Sequence, residues 1–250
     1  MKDLNIIDFT DFYFNGKYLS DFGGMVGDNN GGKLNYSLLP SREYIIDRPF
    51  NYDGEIVFDV HVNPRSWEVP IFFYDINDNN IRSISKWLDT DEAQPFYFKN
   101  DTVRINARID SDAFYFDTYS GIEGLTSLKF IAHDPYFYDI DKTVVNMSLA
   151  TDPWFYNRGN IGSPFKITVN GSGLIGIGVV DAYGNHQECR ISDVSGGVIL
   201  DTKTMSVTDL SGNNMFNNFM GEYIQIPPGD FKIQIAGIET ATLEYNGRYI

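Results

Sequence analysis

The sequence predicts a mainly β protein built from two modules joined near residue 138, and three observations carry that reading. Aromatic residues are abundant (16 Tyr, 19 Phe, 3 Trp) beside 23 Gly, a bias toward pleated, half-buried surfaces and tight turns rather than helices. The stretch Leu128-Lys-Phe-Ile-Ala-His-Asp-Pro-Tyr-Phe-Tyr138 alternates like a strand and then meets Asp-Pro. Proline cannot donate to a ladder and biases the residue before it, so the strand is expected to end at His133 or Asp134. Beyond that point no helical periodicity recurs, only short strand patterns between glycine, asparagine and proline turns. A length of 250 residues suits two domains of about 110 to 140 residues, each with its own core. The expected division is 1–138 and 139–250.

Taken in order, Phe12-Tyr-Phe-Asn-Gly-Lys-Tyr-Leu19 is a strand, an Asn-Gly turn and a return strand, the strongest short hairpin signal. Asp21-Phe-Gly-Gly breaks the chain, and Gly27-Asp-Asn-Asn-Gly-Gly32 reads as a loop before a strand over Lys33–Pro40. Arg48–Gly54 is a loop closed by an Asp-Gly turn. It leads into a strand, Glu55–Val62, with Ile56, Phe58, Val60 and Val62 on one face. The spacing of Ile81, Ile84 and Leu88, with Trp87 beside them, predicts one helix over Asn80–Asp89. Asp78 or Asn79 would cap it and Thr90–Pro95 would stop it. Strands come next at Phe96–Phe98, Thr102–Ile109, Ala113–Tyr119 and Leu125–Ala132.

In the second module the expected strands are Phe165–Asn170, Gly173–Asp181, Glu188–Val194, Gly197–Asp201, Met205–Asp209, Tyr223–Ile226, Phe231–Ile235 and Ala241–Tyr245. Short strands with turns at this spacing predict an antiparallel sandwich.

Chemistry-bearing motifs fail on inspection. Gly171-Ser-Gly-Leu-Ile-Gly176 spells GxGxxG, but a dinucleotide site needs a helix to open there, and the next residues are Ile-Gly-Val-Val. Asp75-Ile-Asn-Asp-Asn-Asn80 starts like a calcium loop. It puts Asn80 where the sharp-turn glycine belongs and Lys86 where the bidentate acid belongs. His61, His133 and His186 are dispersed without a helical metal pair, and no Gly-x-Ser-x-Gly elbow occurs. The single cysteine, Cys189, excludes an intrachain disulfide and a multi-cysteine zinc site. The expectation is a protein that is not an enzyme, without cofactor or metal. No membrane-spanning run and no signal-peptide pattern is present, so synthesis in a cytoplasm is expected and the sequons at Asn35, Asn146 and Asn170 carry no meaning.

Net charge is −15, divided as 12 Lys/Arg against 22 Asp/Glu in residues 1–138 and 7 against 12 in 139–250. Such a surface repels nucleic acid rather than gripping it. Solubility explains it, and so does a surface past which DNA slides without adhering. Trp154-Phe-Tyr156 offers a different binding possibility, because exposed aromatics on a sandwich face can stack on sugars; more often, aromatics clustered at a domain junction are buried between the domains.

Five segments in sequence order carry a resemblance: Phe12-Tyr-Phe-Asn-Gly with Ser20-Asp-Phe-Gly; Asp53-Gly54; Ile84-Ser-Lys-Trp-Leu88; Leu128–Tyr138; and Gly221-Glu-Tyr-Ile-Gln-Ile-Pro-Pro-Gly through Gly237. Together they resemble the distal tail proteins of long-tailed phages infecting Gram-positive bacteria, over roughly residues 10–250. The resemblance implies an N-terminal tail-tube-like β domain with one short helix and an extended arm, and a C-terminal galectin-like antiparallel β-sandwich. It further implies a homo-hexameric ring of N-terminal domains around the DNA channel, between the tail tube protein and the tail-tip protein (the tail-associated lysin). The C-terminal domains would face outward, where receptor-binding or other baseplate proteins can dock. DNA would pass without specific binding, and the location would be the virion tail. The length implies the family's short form. Ring-interface candidates are Phe12, Phe14, Asn15, Gly16, Asp21 and Phe22; sugar-binding candidates, on the alternative reading of a carbohydrate-binding module for host cell-wall sugars, are Trp154 and Tyr156.

Overall fold

A computed structural model of the protein describes residues 8–27, 39–51, 53–74, 77–110, 117–119, 123–148 and 153–250. The chain divides into two compact units, Met1–Phe137, with Ile250 counted to it, and Tyr138–Tyr249. Both are mainly β.

The first unit contains β1 (Asp8–Phe14), β2 (Lys17–Tyr18), a 3-10 turn (Leu19–Phe22), β3 (Gly24–Val26), β4 (Arg42–Asp47), β5 (Ile56–Val62), β6 (Arg65–Phe73), α1 (Asp78–Leu88), β7 (Gln94–Lys99), β8 (Val103–Ile109), β9 (Asp117–Tyr119) and β10 (Glu123–Ala132). Its main sheet runs β2-β1-β7-β8-β10-β6-β3, with β9 on β10. β4 and β5 stand apart as a two-stranded ribbon. The Asn15-Gly16 turn has φ of 41° and 83°, the doubly positive turn whose twist matches the flanking strands. β10 ends at Ala132, one residue before His133.

The helix starts earlier than the periodicity suggests, because Asn77 is its cap: its Oδ1 accepts from the Asn79 and Asn80 amides at 3.1 and 3.0 Å. Ile84, Trp87 and Leu88 are buried. The indole N–H of Trp87 donates to the Phe14 carbonyl at 2.6 Å, which pins the helix to the hairpin. Around it, Phe12, Phe96 and Phe130 pack with ring centroids 4.7 to 5.7 Å apart. β6 was not expected from the sequence. Its side chains alternate between core and surface, with Arg65, Trp67, Val69, Ile71 and Phe73 inward, and Pro70 takes an outward position. The expected strand at Lys33–Pro40 and residues 113–116 of the strand expected at Ala113–Tyr119 lie outside the described residues, save the last two positions of the former.

β11 (Phe137–Asp139) lies at the passage between units. The second unit holds β12 (Thr143–Ser148), β13 (Phe155–Asn157), β14 (Phe165–Asp181), β15 (His186–Val194), β16 (Val198–Asp201), β17 (Ser206–Asp209), β18 (Phe219–Gly221), β19 (Gly229–Tyr245) and β20 (Arg248–Tyr249). Here the sequence reading is corrected at two places. The strands expected separately at 165–170 and 173–181 are one bent strand, β14, and those at 231–235 and 241–245 are one bent strand, β19. The glycines between them are bulges, not turns. Register slips at Asn170–Gly176, Gly173 has φ 91° and Gly237 has φ 79°. A bulge bends a strand and raises its twist without ending it. Each long strand therefore serves two halves of one continuous eight-stranded sheet. One is β12, the C-terminal half of β19, the N-terminal half of β14, β16 and β17; the other is β13, the remaining halves of β19 and β14, β15 and β18. Their inner faces close an aliphatic core that includes Ile167, Val169, Ile177, Ile191, Leu200 and Leu243. Residues 223–226 form no strand; Ile226 makes only an isolated bridge to Ser163.

Candidate functional site: the first unit's uncovered ribbon and rim

The hairpin residues singled out from sequence divide once placed. Phe12 and Phe14 are fully buried, so their side chains hold the first unit's own core and cannot meet a neighbour; that part of the interface expectation is corrected. Alternation on β1 turns both rings inward, onto Trp87 and Phe130. Asn15 is also committed internally, its Nδ2 donating to the Trp87 carbonyl at 2.7 Å. Phe22 is half-buried and stacks on Trp87 at 4.6 Å, with the Lys17 ammonium over its ring. Gly16 and Asp21 are exposed; the Asp21 carboxylate accepts the Tyr18 amide at 2.9 Å. Beneath them, buried Asp11 accepts both the amide and the hydroxyl of Ser20. On the outer side of the hairpin Tyr13 and Tyr97 stack at 4.6 Å, and Tyr18 meets both rings edge-on. Burial, then the neighbouring Tyr18, pushes the Tyr97 phenol well up from its usual range.

The larger candidate is one the sequence reading did not place. Among the described residues β4 and β5 pair only with each other, in a register of Tyr44 opposite Val60, Ile45 opposite Asp59 and, after a bulge, Ile46 opposite Val57. At its base the Asn63 amide donates to the Ser41 carbonyl at 2.9 Å; near its tip Arg48 pairs with Glu55. Tyr44, Ile45, Ile46, Phe50, Ile56, Val57, Phe58 and Val60 are all exposed, Phe50 by 95 % and Phe58 by 66 %. A two-stranded ribbon with no sheet or helix to lie on is marginal in water. Exposed apolar side chains concentrated on one element mark an interaction surface. The signal was in the sequence: Tyr44-Ile-Ile and Ile56-Val-Phe are apolar at consecutive positions, hence on both faces, where a half-buried strand would alternate.

In the second unit Trp154 and Tyr156 are exposed, by 52 and 63 %, while Phe155 between them turns inward against Phe231. Cys189 is buried, and burial pushes its thiol up to about 12, the condition of an inert core cysteine. Among the described residues no three His, Cys, Asp or Glu side chains converge as a metal site, and no helix is long and apolar enough to cross a membrane.

A family model described as the phage tail protein N-terminal domain matches residues 7–131. The chain belongs to that family. The match spans the hairpin, the ribbon, α1 and most of β10, which is nearly all of the first unit. Over 96 % of its length the chain is 21 % identical to the SPbeta prophage-derived uncharacterized protein YomH of Bacillus subtilis (strain 168), covering 97 % of that protein. Among solved structures, the SPP1 Dit (gp 19.1) protein, described as a paradigm of the hub adsorption apparatus in Gram-positive-infecting phages, matches with a TM-score of 0.71 at 14 % identity. That alignment covers 96 % of this chain and 99 % of that one. A chain of the phage P2 baseplate in its activated conformation with calcium matches with a TM-score of 0.56 at 7 % identity, over 95 % of this chain and 97 % of that one. The distal-tail resemblance is thus met in family and in fold, and the fold correspondence extends through both units of this phage tail protein.

Proposed function

We propose that this tail protein is a structural distal tail component: six copies close into a ring through their first units, between tail tube and tail tip, with DNA passing through the centre. The observation that carries the reading is the β4–β5 ribbon. A folded domain that leaves eight large apolar side chains uncovered on one ribbon is built to have them covered, and a second copy of the same chain is always available in a ring. In a closed head-to-tail ring each subunit buries two different patches, here the ribbon on one side and, on the other, the rim at Gly16 and Asp21 beside the tyrosine stack. Asn15 and Phe22 support that rim rather than contact the neighbour. Membership of a phage tail family over residues 7–131 and the fold shared with the SPP1 hub protein support the same reading.

The acidic balance suits a DNA conduit. Six copies at −15 sum to roughly 90 formal negative charges, which disfavour adhesion of a polyanion. The second units face outward in this reading and offer docking surface to receptor-binding or other baseplate proteins; the protein is made in the host cytoplasm and resides in the virion tail, in a role that needs no catalysis. Mass photometry of the full chain, alone and with its tail neighbours, tests it. A six-fold species that is lost on replacing Phe50 and Phe58 by Asp is the expected outcome. A six-fold species indifferent to both changes would remove the ribbon from the contact.

A further inference from the structure

The second unit carries, on the solvent face of its β13-β19-β14-β15 strands, a feature unrelated to ring closure. Along the N-terminal half of β19, the C-terminal half of β14, and β15, the inward side chains are Phe231, Ile233, Ile177, Val179, Cys189 and Ile191, all buried. The outward positions between them form rows: Lys232 beside Val180 beside His186; Gln234 beside Gly178 beside Glu188; Ala236 beside Gly176 beside Arg190. The middle strand thus presents two glycines where its neighbours present side chains, and the sheet has a trough. It measures about 230 Å³ and is lined by Gly176, Gly178, His186, Glu188, Gln234 and Ala236. The β13–β19 register sets Phe155 opposite Phe231, so Trp154 stands on the same outer face across from Lys232, whose ammonium lies 4.9 Å from the indole centroid. The indole is half exposed.

We propose that this face binds a neutral saccharide chain, with Trp154 as the stacking platform and the trough as the hydrogen-bonding subsite. A pyranose presents an apolar C–H face and a rim of hydroxyls that both donate and accept. An exposed indole matches the first; a carboxylate, a carboxamide and an imidazole lining one trough match the second. Arg190 donates to Glu188 at 2.7 Å, and that bond holds the Glu188 carboxyl below its usual range, so both groups are charged, pre-oriented and mutually neutralised. Lys232 is drawn onto Trp154. The face therefore has no net attraction for a polyanion, and the chain's overall charge of −15 opposes one. A protein partner would need an apolar centre, and the trough offers glycines overlain by an imidazole and a carboxylate. From Trp154 to His186 is three strand spacings, about 14 Å, which suits a short oligosaccharide rather than one ring. The glycines make room for the polar groups that lie over them: a Cβ on Gly178 would come within 2.6 Å of His186 Nε2 and one on Gly176 within 3.5 Å of Glu188 Oε1, so a larger side chain at Gly178 would displace the imidazole from the trough.

The test is titration of the isotope-labelled full chain with maltotriose, cellotriose, lactose and chitotriose, and separately with poly(glycerol phosphate), read by amide and indole NMR shifts. The expected result is saturable shifts from at least one neutral sugar at the Gly176, Gly178 and Glu188 amides and the Trp154 indole. Trp154→Ala and Glu188→Gln should each weaken binding by about tenfold or more, Gly178→Val should abolish it, and none should alter the melting of the second unit by more than a few degrees. Absence of shifts with every neutral sugar, shifts elsewhere, binding indifferent to Trp154→Ala and Glu188→Gln, or binding of poly(glycerol phosphate) alone would each overturn the proposal.

Discussion

The two units bury comparable cores by different means. Among the described residues, eight of the seventeen core positions of the first unit are aromatic (Phe12, Phe14, Trp67, Phe73, Trp87, Phe96, Phe98, Phe130), whereas three of twenty are in the second. The first unit closes its sheet with one short helix and leaves a ribbon of the same domain bare. The second bends two long strands so that each joins both layers, and the sandwich covers itself. In the proposed ring this difference divides the labour: among the described residues the first unit gathers eight exposed large apolar side chains on one ribbon, which calls for a neighbour, while the nine that the second unit exposes are spread over separate strands and turns.

The comparison breaks most easily at Trp87. It fills the space between helix and sheet, touches Phe12, Phe14 and Phe22 by ring contact and donates to the Phe14 carbonyl. Trp87→Ala should cost about 3–5 kcal/mol. In a calorimetric scan the first unit's transition should drop while the second's stays in place; a joint shift would mean the units do not melt separately. Leu88→Ala on the same face belongs to the range of about 2–5 kcal/mol.

Next in size is the bend of the second unit. Gly237 has φ 79°, and a Cβ there would lie 2.4 Å from the Leu174 carbonyl oxygen. Gly237→Ala should destabilise the sandwich by about 1–3 kcal/mol through backbone strain, with the first unit's melting unchanged. A neutral result would mean that the long strands do not need the bulge they display.

Smaller still is the effect expected of the ribbon on stability. Phe50→Asp and Phe58→Asp change exposed side chains that touch no core, so each should stay within about 0.5 kcal/mol of the parent in thermal unfolding while removing self-association. Loss of stability instead would show that the ribbon packs on its own domain.

The smallest effect concerns acid. Asp181 and Asp209 close two turns of the same design, Asp181-Ala-Tyr-Gly-Asn185 and Asp209-Leu-Ser-Gly-Asn213. Each carboxylate accepts the side-chain amide of the Asn four residues on and two backbone amides. These bonds, the Asn side chain first, hold both carboxyls below 3.8. A depressed folded-state pKa means the contribution is present above 3.8 and is lost as pH falls through the folded value. The second unit's melting temperature should therefore fall below pH 4, and less steeply in the Asp181→Asn, Asp209→Asn double variant. Equal slopes would mean the turns do not report on stability.

How far the sequence told the fold can be read from particular elements. Asn15-Gly16, the Ile81–Leu88 stripe and the Asp-Pro stop at 134–135 specify their structures locally, and the hairpin, helix and strand end form where those signals stand. β6 is hard to read because Pro70 interrupts its sequence pattern; its carbonyl accepts the Gly27 amide at 3.0 Å just past the β3 pairing, so the donor that proline lacks falls where that ladder ends. β14 and β19 were read as four strands because a glycine bulge and a glycine turn share residues and differ in what pairs across them, which is a tertiary fact. The interface candidates show the same limit. Phe12 and Phe14 are conspicuous because they are core, while Tyr44-Ile-Ile and Ile56-Val-Phe mark the uncovered surface by failing to alternate. The trough of the second unit was not readable at all, since it is assembled from three strands whose registers set Gly178 between Gln234 and Glu188.

The most direct test of the central claim is a structure of the assembled tail by electron cryomicroscopy at the layer between tube and tip. The account predicts six copies at that layer, first units forming the ring with each β4–β5 ribbon against a neighbouring copy, and second units outside it. A ring built by residues 140–250, a symmetry other than six-fold, or ribbons left in solvent would contradict it.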